Sequence, residues 1–258
     1  LHRVDRRQRQ MCIRDSELKE HSHNDLDHLR VQLDKTTDCP RKILAVDGVF
    51  SMDGDMSPLN QLSSICNDYD AALMVDDAHG FGWLGENGAG ISEHFHLGQQ
   101  DLPILMGTLG KAVGVAGAFV AGSNALIDSI IQSSRSYIYT TALPPACAAA
   151  ILQSLKVIQN EPQRRTHLKT LINYFNEKTA NLNFQFLPSS SAIQALVVGA
   201  NSRALTLSER LMEEGIMISA IRPPTVPVGS ARLRITLSAD HTFSQLDQLI
   251  QILKDCQS

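Results

Sequence analysis

Two short stretches carry residue types that could do chemistry together. Leu73-Met74-Val75-Asp76-Asp77-Ala78-His79-Gly80 ends an apolar run in two carboxyls and an imidazole. Gly107-Thr108-Leu109-Gly110-Lys111 ends another in a hydroxyl and an amine. A lysine amine titrates near 10.4, so as base or nucleophile it must be tuned by its surroundings or masked as an imine. Lys111, among glycines and small apolar residues, has room to reach a ligand, the plainer alternative being an exposed loop lysine. An ionised Asp76 at the end of a buried strand requires a cationic partner. A protonated pyridine nitrogen would serve, and the pairing would keep the ring an electron sink. His79 could then hydrogen-bond the phenolic oxygen of the same ring. Carboxyls that cap the loop and a satisfied structural histidine are the alternatives. Asp76, Asp77 and His79 are also competent metal ligands. A metal explains neither Lys111 nor Thr108, so none is expected. Arg222 precedes Pro223-Pro224 and is therefore held extended, where its planar fork suits a carboxylate as well as a surface salt bridge.

The elements that must position these groups follow from the apolar pattern. Ala72–Val75 and Pro103–Met106 are apolar without alternation, as strands buried on both faces of a parallel sheet are, and open α/β sheets bind ligands at the carboxyl ends of such strands. Lys42–Val46 reads as a further buried strand, followed by a polar loop from Asp47 to Asp55. Ser57 then caps a helix that has Pro58 first and Leu59, Leu62, Cys66 and Tyr69 on one face. Asp25 reads as the cap of a preceding helix through Leu26, Leu29 and Leu33. After Lys111 come a buried strand at Ala118–Ala121, a short helix marked by Ile127 and Ile131, an extended segment Tyr137–Thr141, and an alanine-rich helix started by Pro144-Pro145. Asn160-Glu161-Pro162 ends that helix and marks the domain boundary. Beyond it lie a helix through Leu168, Leu171 and Phe175, a strand at Ile193–Val198, and a helix capped at Asn201 or Ser202 and closed by Gly215. Strands at Ile216–Ala220 and Arg232–Leu237 follow, then a last helix with a Thr242/Gln245 capping box.

Gly80-Phe81-Gly82-Trp83-Leu84-Gly85 matches the dinucleotide pattern G-x-G-x-x-G, but its third glycine should open a helix and Glu86-Asn87-Gly88-Ala89-Gly90 breaks one. A turning loop that lets backbone pass close to the site is the better reading. Gly110-Lys111 lacks both the earlier glycine and the following hydroxyl of a phosphate loop.

The 258 residues are 43% hydrophobic and 19% charged, enough to bury a sizeable core. The net charge of −4 and the scattered basic residues exclude a nucleic-acid or anionic-membrane surface, and no apolar run nears the roughly 18 residues of a spanning helix. Five dispersed cysteines (Cys12, Cys39, Cys66, Cys147, Cys256) without a C-x-x-C pair fit a reduced, cytoplasmic chain. Residues 1–16 are dense in arginine and aperiodic, and read as a non-native leader rather than a basic arm. The division expected is thus 1–16 as leader, 17–160 as part of a large cofactor-binding domain and 161–258 as a small C-terminal domain.

Taken together, Asp47-Gly48-Val49-Phe50-Ser51-Met52-Asp53-Gly54-Asp55, Val75-Asp76-Asp77-Ala78-His79-Gly80 and Thr108-Leu109-Gly110-Lys111 resemble the α-oxoamine synthases, pyridoxal-phosphate enzymes of fold type I. Ser191-Ala192-Ile193-Gln194 and Ile221-Arg222-Pro223-Pro224-Thr225-Val226-Pro227 are most similar to the branch that joins L-alanine to a pimeloyl thioester in biotin biosynthesis. The resemblance runs from about Ser22 onward. It implies an α/β fold with a mainly parallel central sheet flanked by helices, plus a smaller C-terminal α/β domain. It also implies that Lys111 holds pyridoxal 5'-phosphate as an imine and later moves the α-proton, and that Asp76 pairs with the pyridine nitrogen. Ser51 and His79 would lie by the phenolic oxygen, and Thr108 would bind the phosphate. Thr141 would reach the phosphate of a neighbouring copy in a homodimer. Arg222 would hold the amino-acid carboxylate and Thr225 would line the substrate pocket. Family members carry a further N-terminal portion with a phosphate loop and a ring-stacking histidine, so this chain is expected to bind the cofactor weakly and turn over poorly. Glycine C-acetyltransferase and 5-aminolevulinate synthase share the Asp, His and Lys set. A nicotinamide dehydrogenase and a non-catalytic fragment are the alternatives from other classes.

Overall fold

The computed structural model describes residues 17–256, and the leader reading of residues 1–16 falls outside them. The chain opens with α1 (Leu26–Asp34), whose first turn is capped by the Asp25 carboxylate accepting the His28 N–H. β1 (Lys42–Asp47), α2 (Leu59–Asp68) and β2 (Ala71–Asp76) form a βαβ unit with β1 and β2 parallel, Asp47 opposite Asp76. A one-turn α3 (Ile91–His94) precedes β3 (Ile104–Thr108), parallel to β2, and β4 (Ala118–Gly122), antiparallel to β3. The first sheet therefore runs β1-β2-β3-β4. Helices α4 (Asn124–Ser133), α5 (Arg135–Ile138), α6 (Pro145–Asn160) and α7 (Pro162–Thr179) follow, with Glu161 alone between the last two.

A second, antiparallel sheet is built from β5 (Gln185–Phe186), β6 (Ile193–Gly199), β7 (Ser219–Ile221) and β8 (Ala231–Thr236) in the order β5-β6-β8-β7. Helices α8 (Asn201–Glu213) and α9 (Phe243–Asp255) complete it. The Thr242/Gln245 capping box forms at the start of α9. One apolar cluster extends from Leu73, Val75 and Leu59 of the first sheet layer to Phe175, Leu196 and Leu233 of the second.

Several local expectations are corrected. β1 is not buried on both faces: it is the edge of its sheet, with Leu44 buried and Ile43 64% exposed, because only one face is covered. β4 is likewise open, and no residue from Gly114 to Ala150 is buried. Ser57 does not cap α2; its hydroxyl donates to the Asp47 carbonyl at 2.7 Å and closes the loop after β1. Tyr137–Thr141 is not extended throughout. Tyr137 and Ile138 N–H groups donate to the Ser134 carbonyl, so a single helical turn wins over the strand preference of aromatic and β-branched side chains. The residue before α8 is Ala200, without a side-chain cap, and β7 begins at Ser219 rather than Ile216. α3 and β5 are too short to show periodicity.

Candidate active site

The first sheet does what its strand ends promise. Asp76 ends β2, His79 follows three residues on, and Lys111 lies in the turn after β3. That turn is closed by its own backbone: Leu109 N–H donates to the Gly117 carbonyl at 2.9 Å, Val115 N–H to Leu109 and Gly114 N–H to Lys111. Thr108 reinforces it, its hydroxyl donating to the Gly117 carbonyl at 3.2 Å and accepting the Gly110 N–H at 3.3 Å.

Lys111 is an exposed residue, yet its amine is not loose in solvent. Nζ stands 2.8 Å from His79 Nε2. With Lys111 as the ammonium, which cannot accept, Nζ donates to His79 Nε2, and that requires a neutral imidazole carrying its proton on Nδ1. The electrostatics agree. Burial and the Lys111 charge, with a smaller push from Arg234, bring His79 down to about 4, against the pull of Asp76. Partial burial also lowers Lys111, with Arg234 adding to the effect while Asp76 and Asp47 oppose it. Asp76 is half-buried and uses Oδ1 to accept the Ala78 N–H at 2.9 Å. Asp47, its register partner, is raised by burial and by the Asp76 charge. A cavity of about 530 Å³ opens beside these carboxyls, lined by Asp47, Phe50, Met74, Asp76 and, from the segment before α1, His23 and Asn24.

Asp77 parts company with its neighbour. Its side chain turns inward and is fully buried, so Asp76, Asp77 and His79 do not converge as metal ligands would. Among the described residues the ligand-bearing group that does gather is His23, Asp53 and Asp55. These side chains already have partners: His23 Nε2 bonds Asp55 at 2.7 Å, Asn24 donates to the same oxygen at 2.8 Å, and Arg232 pairs with Asp53.

The remaining predicted residues are less concentrated. Ser51 lies in the loop after β1, where its carbonyl accepts from Arg234 Nε at 2.5 Å. Thr141 is exposed in the segment between α5 and α6 and meets none of the other site residues through a hydrogen bond among the described residues. Arg222 and Thr225 are exposed in the turn after β7, where Thr225 N–H donates to the Arg222 carbonyl at 3.0 Å. The cation that the structure does bring to Lys111 and His79 is Arg234 of β8, which the sequence reading passed over. A signal for it existed: Arg232 and Arg234 occupy alternate positions of an otherwise apolar strand, which places both on one face.

The glycine-rich stretch after His79 forms turns, with Gly82 N–H donating to the Gly88 carbonyl at 2.9 Å and no helix until Ile91. The order of strands, with a lysine turn and an acid at the carboxyl ends, defines a class. The family model for class I and II aminotransferases matches residues 2–253, and the chain belongs to that family. Over 231 residues it is 56% identical to the 8-amino-7-oxononanoate synthase of Cellvibrio japonicus, a match covering 90% of this chain and 58% of that protein. Over 234 residues it is 53% identical to the 8-amino-7-oxononanoate synthase of Pseudomonas fluorescens, covering 91% and 59%. The chain thus spans somewhat over half the length of these relatives. Among solved structures, a serine palmitoyltransferase from S. paucimobilis, with bound PLP in an adduct with myriocin, superposes with a TM-score of 0.86 at 27% identity, over 90% of this chain and 59% of that one. An 8-amino-7-oxononanoate synthase from Francisella tularensis superposes with a TM-score of 0.75 at 32% identity, over 93% and 73%.

Proposed function

We propose that the protein is a pyridoxal-phosphate-dependent C-acyltransferase of biotin biosynthesis. It joins L-alanine to a pimeloyl thioester, releasing carbon dioxide and the carrier thiol and giving 8-amino-7-oxononanoate. The observation that carries this reading is the Lys111 amine held 2.8 Å from a neutral His79, with Asp76 facing both. The residues fit the cofactor: a depressed lysine, an acid with one oxygen uncommitted to hydrogen bonding among the described residues, and an adjoining cavity of about 530 Å³, within the usual size of a small-molecule site. When bound, pyridoxal phosphate supplies an aldehyde that a lysine can bond and an electron-accepting ring.

The chain's own groups then divide the work. Lys111, lowered by burial, has a larger neutral fraction at physiological pH and takes up the proton leaving the alanine α-carbon at Nζ. His79 accepts a hydrogen bond from Nζ and so sets where the amine points. Asp76 would accept the hydrogen bond of the protonated ring nitrogen, and Ser51 and His79 would serve the phenolic oxygen. Thr108 would hold the phosphate, joined by Thr141 from a second copy. Arg222 supplies a fork for the amino-acid carboxylate and Thr225 lines the pocket. Arg234, already facing Lys111, is a second cation for the same carboxylate.

A homodimer with shared sites is part of this reading. Tyr137, Ile138, Tyr139 and Leu143 are large, apolar and exposed on one unburied stretch, a composition that supports an interface. The cytoplasm is the proposed compartment; among the described residues no helix is long and apolar enough to cross a membrane. Borohydride reduction of the chain with pyridoxal phosphate, followed by peptide mapping, should place the pyridoxyl group on Lys111. Alanine with pimeloyl thioester should outrun glycine with short acyl thioesters. A folded chain labelled elsewhere, or preferring glycine, overturns the assignment.

A further inference from the structure

Asp77 is fully buried, and no cation among the described residues balances it. Its Oδ2 accepts the Ile91 N–H at 2.8 Å, while Oδ1 has no hydrogen-bond partner. Gly80 N–H faces the carboxyl but donates to Asp77's own carbonyl, at 3.2 Å, and offsets the burial only in part. A buried carboxyl satisfied by so little is costly, and a contact that survives at such cost calls for a role. The surroundings supply one. A Cβ placed on Gly80 would fall 2.1 Å from Oδ1, and one on Gly90 would fall 1.9 Å from Oδ2. Both ends of the Gly80–Gly90 loop therefore close directly on this carboxyl. The near end continues from His79, whose carbonyl accepts Trp83 Nε1 from within the loop at 2.6 Å. The other fastenings act at the loop's far side: Glu93 accepts the Asn87 and Ala89 N–H groups, and Arg165 donates to the Glu86 carbonyl.

We propose that Asp77 is a positioning residue of the site, its buried carboxyl drawing the two ends of the Gly80–Gly90 loop together on the end of β2 and thereby holding His79 against Lys111. The functional weight of this inference rests on reading His79 and Lys111 as site residues. Its test is made without cofactor, so the two can fail separately. In the full chain the His79 ring, assigned by NMR through a His79→Gln variant, should titrate at about 4. In Asp77→Asn the amide nitrogen meets the Gly80 N–H donor to donor, the loop end lifts, and the His79 midpoint should climb toward the ordinary value near 6.5. Asp77, which burial lifts to about 7, is already largely uncharged where the ring titrates, so loss of its charge cannot produce that climb, and any residual charge would act in the opposite direction. A climb therefore reports positioning rather than electrostatics. A midpoint that stays near 4 or falls in a folded variant overturns the proposal. Should Asp77→Asn fail to fold, Gly80→Ala displaces Oδ1 with the carboxyl itself kept; the same climb is expected, and an unmoved midpoint overturns it.

Discussion

Replacing His79 by glutamine should change how the protein responds to acid, by an amount that can be worked from the site. The folded ring titrates at about 4 against 6.5 when free, so the unfolded chain takes up a proton that the native chain refuses. Stability from this group is full above pH 6.5 and is lost as the pH falls toward 4. A gap of about two and a half pH units corresponds to about 3.4 kcal/mol at 1.36 kcal/mol per unit. The ring is half-buried, so solvent screening brings the expectation to about 1–2 kcal/mol. Asp77 acts with the opposite sign: burial lifts it from 3.8 to about 7, so its contribution is present at low pH and is lost as the pH rises through 7. The raw pH curve mixes the two, but subtracting the His79→Gln curve removes the Asp77 share. Urea unfolding from pH 7.5 to pH 4 should show the wild type losing about 1–2 kcal/mol more than the variant. Parallel curves would refute the idea that burial and Lys111 keep this imidazole neutral.

Two further outcomes follow from named contacts. Lys111→Ala should abolish borohydride trapping and, by removing the cation facing the ring, raise the His79 midpoint by NMR even without cofactor. Arg232→Ala should cost about 3 kcal/mol in urea unfolding, because it strips a buried guanidinium from Asp53 and from the Met52 carbonyl and leaves both without their partner.

Asp76, His79 and Lys111 were legible because each lies at, or just beyond, the end of an apolar run, and the sheet rule places such ends together. The lysine turn needed no distant partner, since Thr108, Leu109 and Gly117 bond among themselves. Burial was less legible. Lys42–Val46 has the composition of a covered strand, yet whether Ile43 is covered depends on what packs on β1, and nothing local to the strand encodes that. Arg234 was missed for a related reason: it is 123 positions from Lys111, and only the packing of the second sheet on the first brings it there. The split between Asp76 and Asp77 was open to the two-residue alternation of a strand, which turns adjacent side chains to opposite faces.

The loop from Asp47 to Asp55 is gripped from the second sheet by alternate residues of one strand. Arg234 reaches the Ser51 carbonyl, Arg232 reaches Met52 and Asp53, and Ser189 adds a hydroxyl bond to the Gly54 carbonyl. A slide of β8 by one residue step, about 3.3 Å, would exceed the reach of the bonds from both arginines. The rim that carries Ser51 thus has no independent latitude. Any rocking between the two sheets is passed to this loop, whose Asp47 and Phe50 line the cavity, so substitutions far out on β8 should be felt as changes in fit rather than as changes in chemistry.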